Sequence, residues 1–493
     1  MRTLKLLAVM TVAMAANAAV MAEIVLTEPY PVTVASGATT TISDKITGTG
    51  PLVVLGGGTV ALSNGENDFT GGIIVSNGIV RADAAGCFGT GPITLESDAT
   101  IRQVQFNAKS ATFSNSITLK DKTTSVNYPA VQALQTVTLK GTLSIDPDAS
   151  DMENCYFHIM SGASGNTAPT LTIDGPVNVP DGRFTLNSFG SFRVNGKMTV
   201  KRLYYGGSYN QTGTISVSNP SNSIYYIQLY DADVSCLATN VMRNSTFEFA
   251  YDKGWGASGH GWLKLNGHDQ QFCYITSKDN SLSPTASTCL IQTGAQQPAT
   301  ITVNAHGTTK GIYANMQVGV KGPVSFVVDR EPEIEALGLA LFQGIARRQH
   351  QGSGSIEVRN GVFRCVQGAT MPNITNITIR SGASSYVSGV TNAFENLKVM
   401  RIEGTGRFYT EAGCLEPLNS PHADLIMDED SSYHLMRGVT NTVDHLIIGG
   451  KEIKSGTYTY ETLPQMRYAS NPTAYGGALI VRRHHRGLVM KFR

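Results

Sequence analysis

The sequence contains few charged residues and almost no tryptophan. Only 15% of its 493 residues are Asp, Glu, Lys or Arg, and there are two Trp. Its formal net charge of +1 gives no electrostatic basis for binding nucleic acid, which requires clustered cationic side chains. Hydrophobic residues nevertheless make up 41% of the chain, too many for a disordered protein. The composition therefore predicts a folded, nearly neutral protein without a nucleic-acid partner.

The sequence also lacks an apolar run long enough to cross a membrane as a helix. Its most apolar run, Leu6–Ala16, is shorter than the roughly 20 residues that a spanning helix needs. Arg2 and Lys5 precede this run, and small residues at Ala16-Asn17-Ala18 and Val20-Met21-Ala22 follow it. This order is typical of a secretory signal peptide, and the alternative is a buried N-terminal helix. We predict a signal peptide over residues 1–22 and export to the periplasm, the cell surface or the medium.

Glycine is abundant, with 51 residues against 19 prolines. Between residues 56 and 101, clusters of Gly, Asn, Ser and Asp separate short runs in which apolar and polar residues alternate. These runs are Thr59–Leu62, Ile73–Val75, Ile79–Arg81 and Ile93–Leu95. Such alternation predicts half-buried strands, and Gly and Asn tolerate the positive φ of sharp corners. No helical pattern follows any run, so the chain is predicted to pass directly from strand to strand as a β-solenoid.

The same segment resembles the autotransporter-associated β-strand repeat of bacterial surface proteins. The resemblance rests on Asn67-Asp68-Phe69-Thr70-Gly71-Gly72, then Ser76-Asn77-Gly78, then Gly89-Thr90-Gly91-Pro92. It implies a right-handed, single-stranded parallel β-helix that is exported and often displayed outside the cell. It implies no particular ligand and no reaction. The transporter part that accompanies such passengers is not recognisable, so a separate surface-anchoring partner is one expectation.

Two further segments carry parts of this pattern. Residues 354–387 contain Ile356, Val358, Asn360, Gly361, Val362 and Arg364, which match Ile73, Val75, Asn77, Gly78, Ile79 and Arg81 at one constant offset. Residues 262–303 contain Leu263-Lys264-Leu265-Asn266-Gly267-His268-Asp269-Gln270, which resembles a segment that recurs in the same proteins. We therefore predict a parallel β-helix over residues 23–440 and a small C-terminal β cap over 441–493.

Several local features interrupt this pattern. Pro147–Gly165 is polar and predicts a loop, whereas apolar residues near helical spacing in Glu331–Gly352 predict a short helix. Ala478–Val481 and Leu488–Phe492 predict a closing hairpin around a cationic tip, serving as a polar cap or as an anchor for anionic envelope components. Seven cysteines in an exported protein permit disulfides, with at least one cysteine left unpaired or intermolecular, and Cys273 and Cys289 have near-coil spacing and could stack on adjacent rungs. The favoured alternative is that most of the cysteines are small buried hydrophobes.

Parallel β-helices include polysaccharide lyases and hydrolases, so catalytic residues must be considered. Asp231 and Asp233 would share one face of a strand, and Arg347 lies in a basic group. The acidic run at 428–430 is predicted to be a turn tip. Charged runs of this kind usually form a solvated face. No zinc, nucleophile-elbow or phosphate-loop motif is present, so the sequence predicts no metal and no cofactor.

Both tryptophans lie in a glycine-rich stretch beside a histidine. Trp255, His260 and Trp262 are candidates for a sugar-stacking surface, and the alternative is packing under a loop. We predict a structural, adhesive or glycan-contacting solenoid without catalysis, with envelope or host glycans as partners. The alternative is a polysaccharide lyase or hydrolase of the parallel β-helix type.

Overall fold

The chain folds almost entirely into β-strands. The computed structural model describes residues 23–96, 101–120, 129–148, 156–162, 169–188, 190–207, 213–230, 232–250, 260–277, 288–293, 297–304, 314–316, 319–329, 338–342, 351–366, 370–389, 391–410, 420–466 and 474–483. Strands account for 57% of these described residues and form a parallel β-solenoid of about 13 turns. Within the described ranges there is no α-helix, and hence none that could cross a bilayer. The predicted all-β solenoid is confirmed.

The chain divides into two compact units, Met1–Leu203 and Tyr204–Arg493. The strands of the first unit are β1 (Ile24–Leu26), β2 (Tyr30–Thr33), β3 (Thr39–Ile42), β4 (Ile46–Gly48), β5 (Leu52–Leu55), β6 (Thr59–Leu62), β7 (Ile73–Val75), β8 (Gly78–Ala82), β9 (Ile93–Leu95), β10 (Arg102–Phe106), β11 (Ala111–Phe113), β12 (Ile117–Leu119), β13 (Val131–Ala133), β14 (Val137–Leu139), β15 (Leu143–Ile145), β16 (Tyr156–Ser161), β17 (Thr170–Ile173), β18 (Val177–Ser188) and β19 (Ser191–Val194). Strand β20 (Met198–Gly207) contains the boundary between the units.

The second unit continues the same pattern. Its strands are β21 (Gly213–Val217), β22 (Ser223–Tyr230), β23 (Ala232–Cys236), β24 (Ser245–Ala250), β25 (His260–Lys264), β26 (Gln270–Ser277), β27 (Thr288–Gln292), β28 (Ala299–Val303), β29 (Ala314–Met316), β30 (Gly319–Gly322), β31 (Val324–Asp329), β32 (Gly338–Phe342), β33 (Gln351–Gly352), β34 (Gly354–Asn360), β35 (Val362–Val366), β36 (Ile374–Ile379), β37 (Ser384–Ser388), β38 (Val399–Ile402), β39 (Arg407–Thr410), β40 (Asp424–Met427), β41 (Ser432–His434), β42 (Thr440–Val443), β43 (His445–Ile448), β44 (Lys451–Glu452), β45 (Gly456–Tyr458) and β46 (Ala478–Val481). A short 3₁₀ turn covers Pro464–Met466.

Apart from the antiparallel pairs at the C-terminal end, a strand typically pairs in parallel with the strand that occupies the same face one coil later. In the first unit one ladder runs β2–β5–β7–β9–β12–β15–β18, a second runs β3–β6–β8–β10–β13–β16–β18, and a third runs β11–β14–β17–β19. Alternate residues point inward and stack on their counterparts. The predicted inward residues are all at most 1% exposed: Val60, Leu62, Ile73, Val75, Ile93 and Leu95. Their predicted ladders are confirmed.

The second unit has three comparable ladders. They are β22–β24–β26–β28–β31–β34–β36–β38–β40–β43, β21–β23–β25–β27–β30–β33 and β29–β32–β35–β37–β39–β41. At its end β44 pairs antiparallel with β43, and β46 lies between β42 and β45. Asn441, which is fully buried, donates from Nδ2 to Tyr433 Oη at 2.6 Å. A small group of β-strands therefore ends the second unit, and its role as a cap stays a prediction.

The asparagine and glycines of the repeat segment join neighbouring coils. Asn67 Oδ1 accepts from the Ile46 N–H at 2.8 Å, and Asn67 Nδ2 donates to the Cys87 carbonyl at 2.7 Å. Gly72 has a φ of +79°, and a Cβ there would lie 2.2 Å from the Pro92 carbonyl oxygen. One side chain thus links three successive coils, and the corner has no room for any residue but glycine.

The second motif has the same function in the second unit. Asn266, at a φ of +52°, donates from Nδ2 to Ser235 Oγ at 2.7 Å on the preceding coil. Asp269 Oδ1 accepts from the Thr300 N–H at 2.6 Å on the following coil. The polar residues of this segment therefore hold the coils in register, which is a structural role.

Two predicted interruptions are wrong where the structure describes them. Within Pro147–Gly165, β16 forms a regular ladder strand with β18. Within Glu331–Gly352, Gly338–Phe342 forms β32 and pairs with β35, so it is not helical. The run Gly-Leu-Ala-Leu-Phe fits a period of two as well as a helical period, and pairing with the next coil selects the strand.

The predicted hairpin and the cysteine spacing also require correction. Both edges of β46 are occupied, by β42 and by β45, and the other predicted arm, 488–492, lies outside the described residues. Cys273 lies in β26 and Cys289 in β27, which belong to different ladders and are not adjacent rungs. Cys87 and Cys236 are buried thiols, and burial raises the pKa of Cys87 to about 12. These two behave as the predicted small hydrophobes.

Candidate functional site

Two of the sequence-predicted site residues lie side by side in the structure. Asp233 on β23 is the register partner of Trp262 on β25. The sequence predicts different functions for them, catalysis for Asp233 in the enzyme alternative and sugar contact for Trp262. Asp231, Trp255 and Arg347 lie outside the described residues, and of His260 only the backbone, at the start of β25, is described.

Lys264 completes this group, which we call the indole patch (Asp233, Trp262 and Lys264). Lys264 Nζ lies 2.8 Å from Asp233 Oδ2 and 5.1 Å from the centroid of the Trp262 ring. Val234 and Leu263, the intervening residues on the two strands, are buried in the solenoid interior. Because successive side chains of a strand alternate, all three patch residues lie on its outer face.

The indole patch combines an acceptor, a donor and an apolar surface. The Asp233 side chain is 12% exposed and that of Lys264 is 27% exposed, so the ion pair lies at the border of the solvent. A lysine ammonium over an indole is favourable by about 0.5–2 kcal/mol, which fixes the Lys264 side chain. Trp262 Nε1 is buried without an acceptor among the described residues. The arrangement is suited to binding polar, hydroxyl-rich molecules.

Sequence reasoning missed Lys264, although its spacing contained a signal. Lys264 is two residues after Trp262, so both belong to the same face of one strand. What the sequence did not provide was the alignment of 232–235 with 261–264, because the intervening coil is irregular in length. The ion pair depends on that register.

A second polar group, which we call the charge column, lies on β31 and β34 and at the residues that directly follow β36 and β38. It consists of Asp329, Glu357, Arg359, Arg380 and Glu403. Glu357 accepts from Arg359 at 3.0 Å and from Arg380 at 2.7 Å, and Arg380 also contacts Glu403 at 2.6 Å. Although partial burial opposes ionisation of Glu357, the bonds from both arginines outweigh it and lower the pKa of Glu357. Its carboxylate is ionised and has both oxygens occupied.

An aromatic row forms the outer face of β35, β37, β39 and β41. Arg364 lies 5.0 Å from the Tyr386 ring, Tyr386 stacks on Tyr409 at 4.7 Å, and Tyr409 lies 4.9 Å from His434. Tyr475 packs against the last two rings from the cap. The tyrosine and histidine faces are occupied by one another, so the row offers few faces to a sugar. It stabilises coil stacking instead.

The acidic run at 428–430 is structural where its contacts are described. Asp428 Oδ2 accepts from the Gly404 N–H at 2.7 Å, and residues 429 and 430 form a turn, as predicted. Among the described residues there is no group of three His, Cys, Asp or Glu side chains placed to hold a metal ion.

Comparison with known proteins identifies no relative. No protein-family model, curated protein or solved structure matches the chain.

Proposed function

We propose that this protein is an exported, non-catalytic β-solenoid with a structural or adhesive role, which contacts glycans through the indole patch. The observation that carries the proposal is the combination of a carboxylate, an ammonium and an indole on one outer face. Tyrosine and tryptophan rings with adjacent polar groups suit polyhydroxylated ligands, because pyranose rings have apolar C–H faces and polar edges.

Lys264 is not placed to act as a general base, which favours binding over catalysis at the indole patch. A general base needs a free lone pair within reach of substrate, and a lysine ammonium bonded to a carboxylate has none. Asp233 is bonded to Lys264, and Glu357 to two arginines. The carboxylates of both groups therefore act as partners for neighbouring cations.

Export rests on the N-terminal sequence and on the resemblance to bacterial surface repeats. Cell fractionation, followed by protease treatment of intact cells, tests it. We expect the protein in the periplasmic, surface or extracellular fraction and shortened at its N-terminus by about 18 or 22 residues. Full-length protein in the cytoplasm would contradict export.

One observation favours the alternative, a polysaccharide lyase. The charge column gathers three carboxylates and two arginines from neighbouring coils, and uronate cleavage requires charge neutralisation beside a base. The purified protein should be incubated with pectin, alginate, chondroitin and heparin, with and without calcium. We expect no unsaturated uronate and no new reducing ends. Turnover that is lost in Arg380→Ala or Arg347→Ala would establish the alternative.

A further inference from the structure

We propose that the indole patch recognises a neutral pyranose through two adjacent hydroxyl groups, a vicinal diol. This inference rests on the proposed glycan contact and specifies its ligand class. It follows from the way in which hydrogen-bond donors and acceptors are paired across β23 and β25.

The ion pair leaves complementary groups beside each other. Asp233 bonds Lys264 through Oδ2, and a carboxylate has about four lone-pair sites on its two oxygens. Lys264 has three N–H donors, and this bond uses one of them. One hydroxyl can therefore donate to Asp233 Oδ1 while its neighbour accepts from Lys264 Nζ. Adjacent hydroxyls on a pyranose ring fit such a donor–acceptor pair.

The charge of the patch favours an uncharged sugar. The carboxylate of Asp233 and the ammonium of Lys264 are 2.8 Å apart and cancel at longer range. A uronate or a sulfated sugar would gain from Lys264 but would bring its anion beside Asp233. An amino sugar would gain from Asp233 but would bring its ammonium beside Lys264. A neutral hydroxyl pair engages both groups without either cost.

The surroundings extend the polar surface. Thr214 on β21 is the register partner of Asp233, and Ser235 is that of Lys264; both are half-exposed. Thr214 therefore lies one coil before Asp233, and Ser235 lies beside Lys264 on the neighbouring coil. Each pair is separated by the strand spacing of about 4.7–4.9 Å. Trp262 supplies the apolar component: Lys264 lies over its indole ring, but the residue remains half-exposed, so the C–H face of a pyranose can pack against it.

Titration calorimetry with a panel of oligosaccharides tests the proposal on the wild-type protein. The panel pairs neutral gluco-, galacto- and manno-oligosaccharides with uronate oligosaccharides of equal length, and adds deoxy analogues that lack one of two adjacent hydroxyls. We expect neutral binding, with at least one deoxy analogue about tenfold weaker, because a hydrogen bond to a charged group is lost. Binding confined to uronates would overturn the diol proposal but would leave glycan contact intact.

Substitutions locate the site. Asp233→Asn and Lys264→Met should each weaken neutral binding by about tenfold. Lys321→Met is the matched control, because Lys321 is an exposed lysine in the same outward row, two coils beyond Lys264. It should bind like wild type. Thermal melts of each variant show whether it is folded.

The outcomes separate the two proposals. Neutral binding that is unchanged in folded Asp233→Asn and Lys264→Met would place the glycan elsewhere and overturn the diol site, while the proposed function stands. Absence of binding to every oligosaccharide by the wild-type protein would overturn both the site and the glycan-contacting function.

Discussion

Two histidines are held in the neutral form, one in each unit. His158 and His434 are each 3% exposed. Burial lowers the pKa of both to about 4, and the nearby cations Arg183 and Arg407 act in the same direction. At His434 the Met466 carbonyl opposes the shift only partly.

These histidines should make stability depend on pH between about 6.5 and 4. The unfolded chain takes up their protons near pH 6.5, whereas the folded chain does so only near pH 4. Their contribution is therefore complete above pH 6.5 and decreases as the pH falls towards 4, by on the order of 3 kcal/mol for each histidine.

Urea unfolding at pH 7 and pH 5 measures this dependence. His434→Gln should reduce the difference between the two pH values, because the substituted residue does not titrate. His422→Gln, at an exposed histidine, should leave the difference unchanged. An equal pH dependence in wild type and His434→Gln would contradict the assignment.

Asn67 should be among the most important single side chains of the first coils. Asn67→Ala would leave the buried Ile46 N–H and Cys87 carbonyl without their partner, costing about 2–4 kcal/mol. Asn64→Ala is the matched control, because Asn64 also bonds the preceding coil, but its bond to the Ser43 carbonyl is exposed to solvent. It should cost less than about 1 kcal/mol. Equal losses in the two variants, measured by denaturant unfolding, would refute the buried-bridge role.

For single residues, the sequence allowed prediction at positions that belong to a recognisable local motif. Asn67 and Gly72 belong to the repeat motif Asn67–Gly72. The structure explains both residues, because Asn67 bonds the neighbouring coils and the corner at Gly72 has no room for a Cβ. The Asp233–Lys264 pair and the Arg364–Tyr386–Tyr409 row have no local signal. Their members are a coil or more apart, and coils of unequal length hide the spacing.

Among the elements, β2 shows how an exposed strand edge is protected. The Tyr30 and Val34 N–H groups donate to the next coil, at Pro51 and Leu55, so alternate residues 31 and 33 face the opposite edge, on which none of the described strands pairs. Pro31 therefore lies at a position where the backbone N–H of any other residue would point to this edge. Proline on an edge strand prevents another chain from pairing there.

Restoring that donor should promote association. Pro31→Thr adds one N–H to that edge of β2, and light scattering coupled to size-exclusion chromatography should detect higher-mass species as concentration rises. Thr33→Ser, on the same edge, adds no donor and should behave like wild type. If Pro31→Thr has the same mass as wild type at every concentration, the protective role of Pro31 is wrong.

Element type was predictable from the sequence where alternation was clean, as in β7, β8 and β9. It was not predictable at β32, where helical and strand periods coincide over five residues. The pairing of β32 with β35 decided between them, and that pairing is a long-range interaction that a local pattern does not contain.

For the whole second unit, the cap is the feature that ends the ladders. Met466 is fully buried, its carbonyl lies 3.4 Å from His434 Nδ1, and Tyr475 contacts both Tyr409 and His434. Deleting Val443–Arg493 would remove β43 from the edge of β40 and would remove Tyr475 from the rings of Tyr409 and His434. We expect the truncated protein to aggregate, as judged by sedimentation.

The alternative role of this segment is a cationic anchor. Arg483 is already engaged, with its Nε 3.2 Å from Asp444 Oδ1, whereas residues 484–493 lie outside the described chain. If the truncated protein stays monomeric and loses only salt-sensitive binding to envelope preparations, the anchor is correct and the cap is not.

The solenoid itself was predictable because its signal repeats: each coil contributes the same strand and corner chemistry, so local errors do not alter the architecture. The function was not predictable to the same degree. The indole patch draws on two coils, and its chemistry arises only when β23 and β25 are aligned.

The stacking of successive coils in register is the central claim for the fold, and disulfide formation between two paired strands tests it most directly. Thr118 and Ser144 are half-exposed register partners on β12 and β15, with hydroxyls 3.1 Å apart. Thr118→Cys with Ser144→Cys should oxidise to a crosslink, identified as a linked peptide by mass spectrometry. Thr118→Cys with Thr142→Cys, displaced by two residues, should not, because its Cα atoms would be more than about 7 Å apart. A crosslink in the displaced pair and none in the register pair would contradict the stacked solenoid described above.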